Sequence, residues 1–333
     1  MNAVHSRRSP RPVLAWIHRV FAPVLLIAGL VGGGSRPLHA QTVFVSYYDG
    51  SNNGYVARGD SGNTSAVYAS SFDGAQGLAL GSDGYLYVST PTSFALGTEI
   101  ARFDPATGDK FDTFVSYVAD NALTAPGALT FGSGGKLYVA NTTTSSILVY
   151  NSDGSPFDTL SDGLLATPGD LAFAAGKLFV TDVGLGNVLS YSAGLFTVVN
   201  TSGGALGVPA GLGVGLDGML YVLDTQGVGT VFQVDPDTGS TNLAFDFSSG
   251  SFTPTALTAG ADGLLYVGGV DGDGHGKVFQ YQTDGSGETL VLDLGFGTTP
   301  VHVLTAVPEP AASAAIIGVV LACLVPAIRR RLG

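Results

Sequence analysis

Cysteine is all but missing from this sequence: one residue in 333, Cys323. A lone thiol forms no internal disulfide, so the fold rests on packing or on bound ions. Cys323 itself lies in an apolar run, where a single thiol reads as a small hydrophobe. Charge is sparse as well, at 12% of residues, and positive charge is sparsest in the bulk of the chain. Residues 41–306 carry six lysines and arginines against 25 acidic residues, a net charge of −19. Such a field repels nucleic acid and anionic membranes and excludes both as expected partners. It attracts cations, calcium included, but only diffusely unless carboxylates converge. The same region holds two histidines, His275 and His302, and two glutamates, Glu99 and Glu288. General acid–base chemistry therefore has few ordinary candidates. No Gly-x-Ser-x-Gly nucleophile motif and no Walker loop occurs.

Glycine, by contrast, is abundant at 49 residues, and 45% of the chain is hydrophobic. That composition excludes a disordered chain and points to many turns joining short strands. One pattern recurs along residues 42–306: a strand with Leu, a Gly-containing turn, then Leu-Tyr-Val. It runs Gly77-Leu-Ala-Leu-Gly-Ser-Asp-Gly-Tyr-Leu-Tyr-Val88 and returns at 128–139, 170–180, 211–222 and 256–267. The aromatic positions are Tyr87, Tyr138, Phe179, Tyr221 and Tyr266, at spacings of 51, 41, 42 and 45 residues. Asp-Gly or Gly-Gly supplies the positive φ that a tight connection needs. A third strand such as Ser146-Ile-Leu-Val-Tyr150 comes after it, then a turn such as Asn151-Ser-Asp-Gly154 and a fourth strand. Four strands per period of this length mark the blade of a β-propeller.

The ends of this region complete a count of six. Thr42-Val-Phe-Val-Ser46 matches a second strand, with Phe44 standing 43 residues before Tyr87. Residues 300–306 align with the first strand at 254–259 but lack its hairpin partner. An all-β six-bladed propeller is expected, closed by N- and C-terminal strands sharing one blade, which removes the exposed edge. The repeats resemble those of NHL-like and related six-bladed propellers, most closely over 168–191 and 209–234. Thr181-Asp182 and Leu223-Asp224 stand where that family places an aspartate after the second strand. Thr90, Asn141 and Gly269 occupy the position in other blades.

Flanking segments differ in kind. Residues 1–40 carry five arginines and no acid, then the apolar run Val20-Phe-Ala-Pro-Val-Leu-Leu-Ile-Ala-Gly-Leu-Val31, then Leu38-His39-Ala40. This is the build of a signal peptide for Sec export, cleaved between Ala40 and Gln41. Residues 307–333 begin with Val307, Pro308, Glu309 and Pro310, which stay extended and accessible because the prolines forbid regular structure. Residues 311–328 carry no charge and are long enough for a transmembrane helix. Arg329, Arg330 and Arg331 would hold its end on the cytoplasmic side. These three parts in this order resemble the PEP-CTERM sorting signal of many Gram-negative bacteria. The resemblance implies recognition of the Pro-Glu-Pro motif by an exosortase in the inner membrane, and delivery to the envelope or extracellular matrix.

Chemistry in the body is harder to place. Asp271 and Asp273, in Asp-Gly-Asp-Gly, resemble the start of a calcium loop but lack the closing bidentate acid, so a polar turn and a metal site both stand as readings. Asp182 and Asp224, with Asn141 at the matching position, read either as channel-side ligands or as caps on the following loops. His302 falls on the closing strand, where a core role is expected. Two functions are compatible with these residues. The first is a non-enzymatic binding or structural module for protein or polysaccharide at the cell surface. The alternative is a secreted calcium-dependent enzyme of the lactonase or lyase type. No cofactor is expected beyond calcium.

Overall fold

The computed structural model describes residues 41–306, apart from residues 52, 61–65, 73, 92–96, 201–205 and 249. The expected signal peptide and sorting segment lie outside the described residues. Within them the chain is almost wholly β. The first three strands are Thr42–Tyr48 (β1), Gly54–Asp60 (β2) and Ala66–Phe72 (β3). Five four-stranded groups come next in chain order. Leu78–Leu80 (β4), Leu86–Thr90 (β5), Glu99–Phe103 (β6) and Lys110–Ser116 (β7) form blade 2. Pro126–Phe131 (β8), Leu137–Asn141 (β9), Ser146–Tyr150 (β10) and Pro156–Leu160 (β11) form blade 3. Pro168–Ala174 (β12), Lys177–Asp182 (β13), Asn187–Ser192 (β14) and Leu195–Val198 (β15) form blade 4. Pro209–Val214 (β16), Leu220–Asp224 (β17), Thr230–Val234 (β18) and Thr241–Asp246 (β19) form blade 5. Thr253–Ala259 (β20), Leu265–Val270 (β21), His275–Tyr281 (β22) and Thr289–Phe296 (β23) form blade 6. The last strand, Thr299–Ala306 (β24), pairs antiparallel with β1 and completes blade 1 in the order β24-β1-β2-β3.

Contacts between innermost strands run in a cycle: β24 with β4, then β8, β12, β16, β20 and back to β24. The six sheets thus close into a ring, and blade 1 is joined from both chain ends. In that blade Phe44 faces Leu304 and Val45 faces Val303 in register. A propeller built this way has no open seam between its first and last blades.

The repeated Leu-Tyr-Val is the second strand of each blade, wedged between its neighbours on both faces. Leu86, Tyr87, Val88, Leu220, Tyr221 and Val222 are all buried, which is why the alternation of a half-exposed strand is missing there. The apolar core is six clusters, one at each blade–blade contact, rather than a single centre. Between blades 2 and 3, for example, Tyr87 and Ile100 meet Leu129, Leu137, Val139 and Leu148. Burying each such side chain contributes roughly 1.5–3 kcal/mol. Outermost strands are far more exposed, as in β11, where Pro156, Phe157, Asp158 and Thr159 face solvent.

Two local devices recur. At the hairpin between first and second strands, Gly218 and Gly263 take φ of 79° and 85°, and the aspartate before each reaches the buried tyrosine. The Tyr87, Tyr221 and Tyr266 hydroxyls donate to Asp83, Asp217 and Asp262 at 2.8, 2.8 and 2.6 Å. Each bond pins the turn over the second strand and gives the phenol the partner that burial demands. Burial, then the Asp83 carboxylate, pushes the Tyr87 phenol up to about 12. The second device joins blades through hydroxyls on their inner side. Ser89 donates to the Gly127 carbonyl at 2.6 Å and Thr255 to that of Pro300 at 2.7 Å, while Ser46 donates to the Gln76 carbonyl.

Candidate functional site

The innermost strands surround a central channel, and two cavities of about 150 and 330 Å³ lie along it. Of these strands, β8 and β12 open on proline, as does β16, while β20 has it second; all four shift register just after it. Proline suits this place because it has no N–H for the ladder, and the bulge turns the next residues toward the lumen. Small residues such as Gly127, Gly169, Ala210 and Gly211 therefore line the smaller cavity, with Gln76 and Thr142.

Asp170 and His302 line both cavities. They come from blade 4 and blade 1, which stand opposite each other in a ring of six. His302 Nε2 lies 3.3 Å from Asp170 Oδ1, so the two side chains meet across the channel. Asp170 is 5% exposed and is held firmly. Its Oδ1 also accepts from the Leu171 N–H at 2.8 Å, and its Oδ2 accepts from the Leu212 N–H on blade 5 at 2.8 Å. Its N–H donates to Thr181 Oγ1 at 2.7 Å. His302 Nδ1 is buried and has no hydrogen-bond partner. The pair can brace the ring across its axis, and among the described residues these two side chains are the ones that both cavities share.

The residues singled out from sequence are placed differently. Asn141, Asp182 and Asp224 do occupy equivalent blade positions, each at the end of a second strand and each 0–6% exposed. None lines the channel cavities. Asp182 accepts the peptide N–H groups of Ala166, Thr167 and Leu185 at 2.6, 3.2 and 2.9 Å. Asp224 accepts those of Gly207, Val208 and Gln226 at 2.5, 2.8 and 2.9 Å. Asn141 accepts from Ala125 at 2.8 Å and donates to the Ala122 carbonyl at 2.9 Å. All three fasten the loop that leads into their own blade, and Asp182 and Asp224 also hold the loop that follows their strand, through Leu185 and Gln226.

Asp271 receives the N–H groups of Asp273 and His275 at 3.0 and 2.9 Å, and Lys277 Nζ sits 2.5 Å from its Oδ2. The lysine bond, with those peptide donors, holds the Asp271 carboxyl down at about 2. The Asp271 carboxylate is thus paired with the Lys277 ammonium group. The two glutamates are engaged as well: Glu99 by Lys110 and Thr113, each at 2.6 Å, and Glu288 by the Tyr281 hydroxyl at 3.0 Å. Among the described residues no cluster of three or more His, Cys, Asp or Glu side chains could hold a metal ion. None of their helices is long and apolar enough to cross a membrane.

No family model matches the chain, and no curated protein matches it. Solved structures do. A chain of the nidogen–laminin complex aligns with a TM-score of 0.63 at 18% identity, over 80% of this chain and 98% of that one. A streptogramin B lyase aligns at 0.52 and 17% identity, over 65% and 68% of the two chains. A catalytically inactive virginiamycin B lyase from Staphylococcus aureus, solved with quinupristin, aligns at 0.51 and 14%, over 66% and 70%. At these identities the likeness is one of fold, and it spans both a binding assembly and lyases.

Proposed function

We propose that this chain is an exported protein whose propeller serves as a non-enzymatic binding or structural module. Its residues 307–333 act as a PEP-CTERM-type sorting segment read by an exosortase after Sec export. The destination is the cell surface or extracellular matrix, and the ligand class is protein or polysaccharide. The observation that carries the module reading is the use of Asn141, Asp182 and Asp224. Their polar atoms bond loop backbone and none of the three lines the channel cavities, which supports a module over a calcium-dependent reaction at those positions. Calorimetric titration with calcium, paired with a thermal-shift scan and a lactone-turnover assay, tests it. The module reading expects no stoichiometric calcium heat, no shift and no turnover.

The second reading, a secreted lactonase- or lyase-type enzyme, is favoured by one feature: the Asp170–His302 pair beside two channel cavities. Turnover that disappears in His302→Gln while the fold persists would establish that reading and overturn the first.

A further inference from the structure

A third cavity, of about 500 Å³, lies between blades 1 and 2 and shares Leu80 with the larger channel cavity. Phe44, Leu80 and Pro105 give it apolar walls, Arg58 and Asp83 stand at its polar side, and Ala306 lines it too. Ala306 is the last residue of the closing strand, so that strand ends at this cavity. The next four residues are Val307, Pro308, Glu309 and Pro310, two apolar rings and a valine around a single carboxylate.

Charge in the cavity matches that order. Four of the body's six basic residues, Arg102, Lys110, Lys177 and Lys277, sit within 4 Å of a carboxylate. Lys136 lies over the Phe157 ring at 4.2 Å. Arg58 is the exception: its Nη1 donates to the Pro105 and Ala106 carbonyls at 3.1 and 3.4 Å, and among the described residues no carboxylate pairs with it. Asp83, the acid nearby, is already taken by Arg102 at 3.3 Å and by the Tyr87 hydroxyl. An arginine that no described carboxylate engages is well suited to one, whose geometry it matches. Three residues of chain lead from Ala306 to Glu309, a reach of up to about 10 Å when extended. So short a tether makes docking intramolecular, at an effective concentration in the millimolar range.

We propose that this cavity is the docking site of the chain's own residues 307–310, with Glu309 on Arg58 and the prolines against Phe44, Leu80 and Pro105. The motif is then masked on the propeller, and an exosortase meets it only when the adjoining segment is drawn into the membrane. This rests on the sorting reading of the tail.

Disulfide trapping on the full-length protein in detergent micelles tests the proposal. With Cys323→Ser as background, Ser82→Cys in the cavity wall is combined with Pro310→Cys. The control combines Pro310→Cys with Ser248→Cys, an exposed site near the end of blade 5. Docking predicts that the cavity pair closes about tenfold faster than the control under mild oxidation, as a local concentration gain requires. Arg58→Glu should reduce the rate to that of the control, and adding Glu309→Arg should restore it, which also shows that the variants fold. Equal rates for the two pairs, or a rate indifferent to Arg58→Glu, would overturn the proposal. Processing in cells is read separately by mass spectrometry of the mature C-terminus. Trapping without processing would sink the sorting reading and leave the docking site standing.

Discussion

Replacing Asp182 with alanine removes the acceptor for three peptide N–H groups at a position that is fully buried. Each buried donor left without a partner costs about 1–3 kcal/mol, less whatever water regains by entering the vacated space. Taking the lower part of that range for each donor gives a loss of about 3–4 kcal/mol of folding stability. Asp182→Asn keeps one carbonyl oxygen but turns an NH₂ group toward donors, so it should cost only about 1–2 kcal/mol. Blade 3 shows that an amide can do this work, since Asn141 fastens its own loop with both amide atoms. Urea unfolding followed by circular dichroism measures the difference as a shift in midpoint at constant slope. An alanine variant within about 1 kcal/mol of the unaltered protein, in the range of ordinary surface changes, would refute the capping argument. So would an asparagine variant as damaged as the alanine one.

Three other contacts carry expectations of their own. Gly211→Ala places a Cβ 2.6 Å from the Leu257 nitrogen of the next blade, whereas at Gly127 the nearest atom is 3.7 Å away. Thermal melting should therefore fall by several degrees for the first and stay within about a degree for the second, given that 1 kcal/mol moves a domain of this size by about 2–4 °C. The Tyr87 phenol is raised to about 12 in the folded protein, above an unfolded value near 10. A raised value means that its contribution is complete below about pH 10 and is lost as pH climbs toward 12; alkaline unfolding curves of Tyr87→Phe should lose that part of the slope. Lys277→Met should lift the Asp271 carboxyl from about 2 toward the ordinary range near 4, read by NMR titration of the side-chain carboxyl.

The ring was legible because each blade repeats the same hairpin, and because Phe44 and residues 300–306 are recognisable halves of one copy. Periodicity exposes whatever every copy must satisfy. The Tyr–Asp bond was equally present in the sequence, as an aspartate four residues before the tyrosine in three copies, but its meaning required seeing the phenol turn back over the hairpin. Asp182 and Asp224 were visible as equivalent positions. Their equivalence carried two readings, lumen or loop, and only side-chain direction separates them.

The Asp170–His302 pair left a fainter trace. Its members are 132 residues apart and belong to opposite blades, so no local spacing joins them. Asp170 stands where the other four full copies carry Gly or Ala, and His302 holds the same place in the closing strand, each two residues after a proline; two such departures from a repeat are easily passed over as noise. Arg58 was hidden for a related reason: among the described residues no carboxylate pairs with it, and that depends on how the other basic residues are paired.

Ring closure by the last strand underlies the fold, the bracing pair in the channel and the exit point of the tail. Hydrogen exchange of β24 backbone amides, resolved by mass spectrometry on the full-length protein, tests it directly. The closed ring predicts that amides of β24 bonded to β1 exchange as slowly as those joining β21 to β22, because both open only when the whole ring opens. Exchange in β24 at the rate of an exposed loop, with blades 2 to 6 still protected, would contradict the account.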